Sequence, residues 1–334
     1  MKIFKTFAFA FLFFCVASPA YADIKVQRVR SVGGVEAWLV QEKSIPIIAV
    51  SFAFVGGGSQ DPAGKTGLAQ FMTGLLDEGA GAYDAQSFKE KLQALAVSLN
   101  FSIDRDAISG SVQTLSANRE TAFELLRLAL TSPRFDKDAV ERVRAQIFSV
   151  LRNQTNNIEK QSANAFAAAA FPNHPYGLPT VGTEETVAKL TRDDIVATHQ
   201  RLIARSNLKI SVVGDMTPEE LSKVLDNVFG ALPEKAVLTD IPEIKMQSAG
   251  KRIVVEKSGP QSQIQFGQVA PKRHDADFMP SYLFNHMFGG STFSSRLYKE
   301  IREKRGLTYG VYSDIATLDH AALFVGSMAT RNET

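Results

Sequence analysis

Residues 67–79 of the chain read GLAQFMTGLLDEG, directly after an apolar run and a glycine-rich turn. A helix is predicted from about Gly67 to Leu76. Gln70, Thr73 and Gly74 would share one face of it, because helical residues three and four positions apart are neighbours. This shared face would carry an amide and a hydroxyl but no imidazole, thiolate or carboxylate.

The N-terminus carries a targeting signal and is excluded from the reasoning about the fold. Two early lysines precede an apolar stretch from Phe7 to Val16, and Ala20-Tyr21-Ala22 forms a small-residue cleavage site. This pattern predicts a secretory signal peptide over residues 1–22, with an uncleaved anchor as the alternative. The apolar stretch is too short to span a bilayer.

Removing that segment changes the charge and the cysteine count. Lys2 and Lys5 supply the whole formal net charge of +2, so the mature chain is neutral and shows no basic excess for nucleic acid. The single cysteine, Cys15, also leaves, which excludes disulfides and a cysteine nucleophile. A bacterial signal of this kind predicts the periplasm of a Gram-negative cell.

Most of the mature chain is predicted to form one unit that contains both strands and helices. Strand patterns cover 25–30, 36–40, 46–55, 98–104, 107–115 and 208–213, and helical patterns cover 84–95, 117–131, 136–154, 162–171, 192–202 and 217–229. Residues 231–250 are loosely patterned, with Pro233 and Pro242, and read as a linker. The predicted units are therefore residues 23–232, the linker 233–250 and residues 251–334.

The second unit is short for a domain built like the first. Strands are predicted at 252–256, 263–269, 309–314 and 321–329, and helices at 277–288 and 294–304. Thr334 falls just after a strand with no closing helix. We expect the second unit to be truncated, with an unusually small second domain as the alternative.

Four stretches in this order resemble the pitrilysin/insulinase-type metallopeptidases, the inverted zincins. They are residues 55–79, 171–177 (FPNHPYG), 208–215 and 288–309. The likeness covers nearly all of the mature chain and is greatest to the short two-domain bacterial subunits related to those of mitochondrial processing peptidase. The resemblance implies an α+β fold of two related sandwich-like α/β domains, the second incomplete.

In that family the helix of the first stretch carries His-x-x-Glu-His, two zinc ligands and the general base. The matching positions here are Gln70, Thr73 and Gly74, and the family's third ligand, a glutamate, maps at or next to Val150. Zinc is bound by imidazole, thiolate or carboxylate, and none of these four residues supplies one. The resemblance therefore implies a degenerate zinc site and no cofactor bound by this chain.

No other residues are expected to replace the missing ligands. The five histidines, at 174, 199, 274, 286 and 320, show no i, i+3 or i, i+4 spacing, and we expect loop, capping or core roles for them. Asp77 and Glu78 are the nearest carboxylates and are expected to end the helix. Residues 58–66 resemble a phosphate-binding loop, but Ser59 replaces its first glycine and Pro62 removes an amide.

The second unit keeps a different part of the family's site. The stretch REKRGLTY matches the family's Arg-x6-Tyr element and places its two residues at Arg302 and Tyr309. In the family this pair binds substrate and stabilises the oxyanion in a facing zinc site, a task suited to hydrogen-bond donors. The plainer interpretation is a surface arginine and an ordinary strand tyrosine.

Together these features predict a non-catalytic subunit of a periplasmic zinc metalloendopeptidase. Its Arg302 and Tyr309 would complete the site of a homologous partner subunit that carries the intact His-x-x-Glu-His motif and the zinc. The substrate would be a peptide or unfolded protein. The alternative is an inactive pseudopeptidase that binds peptides or acts as a scaffold.

Overall fold

A computed structural model describes residues 25–247 and 250–333, which form two sheets flanked by helices. The predicted signal peptide lies outside the described residues. Mixed helix and strand content confirms the α+β prediction. None of the helices in the described ranges is both long and apolar enough to cross a membrane.

The first sheet has six strands with one buried face. The strands of this unit are β1 (Val26–Arg30), β2 (Glu36–Gln41), β3 (Ile47–Val55), β4 (Gly79–Ala80), β5 (Tyr83–Asp84), β6 (Ser98–Ile103), β7 (Ala107–Leu115) and β8 (Leu208–Gly214). Their order is β1-β2-β8-β3-β7-β6, and β4 and β5 form a separate hairpin. Neighbours are antiparallel except β2 and β8. Along β3, Phe52 and Phe54 are buried and Ser51 is exposed, as the period of two requires.

The helices of the first unit are α1 (Leu68–Thr73), α2 (Ala85–Ala94), α3 (Arg119–Thr131), α4 (Lys137–Asn156), α5 (Ile158–Ala170), α6 (Glu184–Lys189), α7 (Arg192–Leu202) and α8 (Pro218–Phe229). They cover the buried face of this sheet, except for α5, which packs against the second sheet. Thr183, Thr191 and Thr217 begin α6, α7 and α8 with capping boxes. Helix α5 begins before the predicted position because the Asn157 side chain accepts a hydrogen bond from the Lys160 amide.

The second sheet repeats part of the first. It contains β9 (Gln261–Val269), β10 (Val311–Thr317) and β11 (Ala322–Arg331), with α9 (Phe278–Asn285) between β9 and β10. The strand order β10-β11-β9 matches β6-β7-β3, and all neighbours are antiparallel. The shared order supports two related domains. The boundaries 23–232, 233–250 and 251–334 stay a prediction.

Three predicted elements of the second unit differ from the structure. The predicted strand at 252–256 forms no ladder and leaves Ile253, Val254 and Val255 exposed. In the first sheet β8 lies between β2 and β3, and the described residues contain no counterpart of β8 beside β9. The predicted helices at 277–288 and 294–304 are α9 followed by π-helical turns at His286–Gly290 and Tyr298–Glu303. Gly289 packs against Ser313, where a Cβ would meet its hydroxyl at 2.3 Å.

The segment predicted as a linker is attached to both units. The Gln60 side chain exchanges two hydrogen bonds with the backbone of Thr239, at 3.0 and 2.7 Å. Further along, the Ile244 amide donates to the His320 carbonyl (3.0 Å) and the Gln247 amide donates to the Ala170 carbonyl (2.9 Å). The segment therefore holds the two units together rather than hanging between them.

Candidate functional site

Helix α1 begins at a partly buried carboxylate. Asp61 accepts hydrogen bonds from the amides of Gly67 (2.7 Å) and Ala69 (2.8 Å), and burial raises the pKa of Asp61 to about 6 against the effect of these bonds. Gly67 has φ +92°, and a Cβ there would meet the Val181 carbonyl oxygen at 2.6 Å. Because the carboxylate occupies the amides that would hold a phosphate, the geometry does not favour nucleotide binding at this loop.

The three positions predicted to form a degenerate zinc site carry no metal-binding side chain. Thr73 is buried, and its hydroxyl donates to the Ala69 carbonyl at 2.8 Å. Gly74 ends the helix, with its amide donating to the Gln70 carbonyl at 3.0 Å. The helix is therefore shorter than the predicted 67–76. A neutral amide, an occupied hydroxyl and a glycine do not fit a zinc ion.

Helix α4 presents apolar residues towards α1. Val143 lies next to Gly74, where an added Cβ would sit 3.5 Å from Val143 Cγ1. Val143 and Ile147 are buried on this side, whereas Val150 is 45% exposed. In the described ranges no group of three or more histidine, cysteine, aspartate or glutamate side chains is placed to hold a metal ion.

A charged cluster joins the end of the α1 segment to two other helices. The Glu78 carboxylate accepts from Lys89 Nζ on α2 and from Arg142 Nη2 on α4, both at 2.5 Å. Burial alone would raise the pKa of Glu78, but these two bonds outweigh it and lower the pKa. Asp77 and Glu78 were expected to end the helix, which is wrong because the helix ends at Gly74. Glu78 instead ties α2 and α4 together.

The second unit carries Arg302 on the π-helical turn Tyr298–Glu303. Its Nη1 donates to the phenol oxygen of Tyr298, and its guanidinium lies 4.7 Å from the Tyr298 ring centroid. Tyr298 is not among the residues predicted from the sequence. The i, i+4 spacing of the tyrosine and the arginine was the available signal.

Tyr309 follows Arg302 after a tight reversal of the chain. Gly306, with φ +62°, donates its amide to the Arg302 carbonyl (3.0 Å), and Leu307 donates to the Ile301 carbonyl (3.1 Å), which is a Schellman-type end. The Tyr309 side chain is 88% exposed. Among the described hydrogen bonds and ring contacts, none joins Arg302 or Tyr309 to α1. The roles assigned to this pair stay a prediction.

The histidines whose contacts are best defined have structural roles. His174 Nδ1 accepts from the Tyr176 amide at the start of a short 3₁₀ helix, and its Nε2 lies 3.0 Å from the Pro242 carbonyl. His199 Nε2 lies 2.9 Å from the Leu130 carbonyl, and burial lowers the pKa of His199. These two match the expected capping and core roles.

Models of two domain types match the chain. Residues 39–184 match the insulinase domain of peptidase family M16, and residues 189–334 match the peptidase M16 inactive domain. A crystal structure of a peptidase M16 inactive domain from Pseudomonas fluorescens superposes with a TM-score of 0.87 and 27% identity. That superposition covers 93% of this chain and 75% of that one.

Two curated relatives share about a quarter of their residues with the chain. The non-peptidase homolog YmxG of Helicobacter pylori is 27% identical over 283 residues, which is 83% of this chain and 65% of that protein. An uncharacterized zinc protease of Mycobacterium leprae is 26% identical over 265 residues, which is 78% of this chain and 59% of that protein. The chain thus spans less than two thirds of the length of both relatives. With its two sheets and both domain types, the chain belongs to the insulinase-type peptidase family M16.

Proposed function

We propose that the chain is the non-catalytic subunit of a zinc metalloendopeptidase and that Arg302 and Tyr309 complete the active site of a homologous partner. The carrying observation is a contrast within the chain. The helix that would bear the metal has no ligands. In contrast, Arg302, which lies in the segment 298–309 that we call the clamp segment, has no carboxylate partner among the described residues. An arginine without a carboxylate partner in its own chain is suited to bind negative charge that develops on a bound substrate.

The two residues would act as donors to developing negative charge. The partner's zinc would supply the activation of water when the complex forms. The guanidinium of Arg302 and the phenol of Tyr309 would then donate hydrogen bonds to the oxygen of the attacked peptide carbonyl. The exposure of Tyr309 supports this use, because its phenol is free to meet a group outside the chain.

A second candidate is a peptide-binding or scaffold protein with no catalytic partner. The observation that favours it is the open face of the first sheet. A groove of about 450 Å³ runs across this face, lined by polar residues with Trp38 at one side. The polar residues are Ser51, Asn100, Ser102, Ser109, Ser111, Lys209 and Ser211. The name of the Helicobacter relative, a non-peptidase homolog, agrees with either candidate.

We propose the periplasm as the location of this subunit. The support is the predicted signal peptide over residues 1–22. Fractionation of cells that express the tagged protein, with N-terminal sequencing of the product, tests this. A chain recovered in the periplasmic fraction and beginning at Asp23 is the expected result, and an uncleaved chain in the cytoplasm contradicts it.

Capture of the native complex tests the catalytic proposal. A C-terminally tagged chain is purified from its own cells, and its co-purifying proteins are identified by mass spectrometry. We expect a homologous protein with His-x-x-Glu-His, peptidase activity in the complex, and zinc in the partner but not in this chain alone. Arg302→Ala is expected to lower the rate by roughly a hundredfold, as for a lost oxyanion donor. Full activity of that variant would favour the scaffold candidate.

A further inference from the structure

The guanidinium of Arg302 is held by a ring and not by a carboxylate. Tyr298 lies one turn earlier and is 5% exposed. Its phenol oxygen accepts a hydrogen bond from Arg302 Nη1, and the guanidinium carbon lies 4.7 Å from the ring centroid. Within the described residues this is the single hydrogen bond of the Arg302 side chain, so its other N–H groups are available to a ligand.

The neighbouring charges do not neutralise Arg302. Glu300 is the carboxylate two residues earlier, but it accepts from Lys304 Nζ at 2.6 Å and from Arg305 Nη1 at 2.9 Å. These two bonds lower the pKa of Glu300 to about 2. Within the part of the chain that the structure describes, no carboxylate lies within ion-pair distance of Arg302.

The position of the Tyr298 side chain is fixed by contacts with two other residues. The ring of Phe293 meets it edge-on, with centroids 5.3 Å apart, and the Ser295 hydroxyl accepts from the Tyr298 amide at 3.4 Å. The buried ring therefore provides a fixed platform next to a flexible and charged side chain.

We propose that Tyr298 is a positioning residue for Arg302, which aims the guanidinium while leaving its charge free for the oxyanion. This inference rests on the function proposed above. A carboxylate partner would also orient the guanidinium, but it would neutralise the charge that the transition state needs. An aromatic ring and a phenol oxygen orient it without a negative charge, and they reduce the side-chain freedom that must be lost on binding.

Steady-state kinetics of the captured complex test this inference, with a quenched fluorogenic peptide that the complex cleaves. Tyr298→Phe keeps the ring and removes the acceptor, and we expect kcat to fall about threefold to tenfold, the effect of one hydrogen bond. Tyr298→Leu removes both, and we expect a fall that approaches that of Arg302→Ala, with KM within about twofold in each case. The control is Tyr282→Phe, because Tyr282 is half-exposed on α9 and stacks on Phe278 instead.

A double-mutant cycle separates positioning from a general structural effect. If Tyr298 acts through Arg302, the variant with both Tyr298→Leu and Arg302→Ala is no slower than Arg302→Ala alone, because neighbours in one network are not additive. A purely structural role of Tyr298 predicts a further loss and overturns the inference. If Tyr298→Leu does not fold, the same cycle is run with Tyr298→Phe, which keeps the buried ring.

The kinetic outcomes distinguish the positioning role from the proposed function. If Arg302→Ala retains full activity, the proposed function fails. If Arg302→Ala is slow but Tyr298→Phe and Tyr298→Leu match the unmodified chain, only the positioning role fails. A faster Tyr298→Phe also overturns the role, because it would show that Tyr298 holds Arg302 away from the substrate.

Discussion

The α1 segment, residues 67–79, and the clamp segment, residues 298–309, use their polar side chains in opposite ways. In the α1 segment Thr73 is satisfied inside the fold by the Ala69 carbonyl, and Glu78 is satisfied by Lys89 and Arg142. In the clamp segment Arg302 has one partner and Tyr309 is almost fully exposed. The first segment has become part of the scaffold, whereas the second still presents donors to the outside.

This difference shows that the fold around α1 does not depend on a bound metal ion. The helices α1 and α4 pack together although the predicted ligand positions on α1 and at its end carry an amide, a hydroxyl and no side chain. Hydrogen bonds, an ion cluster and apolar contacts now hold them. Such a scaffold can keep a second site in place even though its own metal chemistry is absent.

The largest expected effect concerns Asp61 at the start of α1 and appears as a dependence of stability on pH. The native pKa of about 6 exceeds the ordinary value of 3.8, so the native state binds more protons than the unfolded state between these pH values. The free energy of unfolding contributed by Asp61 is therefore complete below about pH 4 and is lost as the pH rises through 6. Relative to Asp61→Asn, the chain should lose roughly 3 kcal/mol between pH 4 and pH 7.

Urea denaturation of both proteins across this range measures the effect. Asp61→Asn keeps an oxygen that can accept from the α1 amides but does not titrate. If the difference in unfolding free energy between the two proteins stays constant from pH 4 to pH 7, Asp61 titrates normally and α1 does not begin at a desolvated carboxylate.

The next prediction returns imidazoles to α1. Gln70→His with Gly74→His places two histidines at i, i+4, and a Cβ at Gly74 meets its neighbours only at ordinary distances of 3.5 Å or more. Zinc at about a hundred times its Kd should then stabilise the double variant by about 2.7 kcal/mol, because it binds the native state. Thermal unfolding with and without zinc measures this, and Gly74→His alone is the control. A folded double variant that gains nothing would show that the helix has lost its geometry as well as its ligands.

A smaller effect is expected from the ion cluster that ties the α1 segment to α2 and α4. Glu78→Gln leaves Lys89 and Arg142 without their carboxylate and should lower the unfolding free energy by about 2 kcal/mol. The loss is smaller than for a fully buried ion pair, because both cations are partly exposed and can be solvated by water. The matched control is Glu185→Gln, whose exposed pair with Lys189 should contribute much less to the unfolding free energy. Equal effects of the two substitutions in urea denaturation would show that the cluster does not hold the α1 segment in place.

The sequence allowed prediction of the features that depend on local spacing. These include most strands and the longer helices of the first unit, whereas the short helix α6 was not predicted. It could not supply partners that are distant in the chain: Arg142 lies 64 residues from Glu78. The strand predicted at 252–256 was wrong for the same reason, because a strand needs a neighbour and its pattern does not say which segment provides one. Tyr298 lies only four residues before Arg302. The Arg-x6-Tyr motif includes only Arg302 and Tyr309, so it does not predict the contact between Arg302 and Tyr298.

The smallest expected effect is on the stability contributed by the clamp. Tyr309→Phe changes a side chain that is 88% exposed, and the free energy of unfolding should stay within about 0.5 kcal/mol of the unmodified chain. Urea denaturation of the chain alone measures this. The same substitution should still slow the captured complex, because the phenol would donate to the oxyanion only when substrate is bound. A variant that is both destabilised and slow would place Tyr309 with Glu78 among the scaffold residues. A stable but slow variant would support a role of Tyr309 in the complex. Its phenol would then contribute to the rate of peptide cleavage without contributing to the stability of this chain.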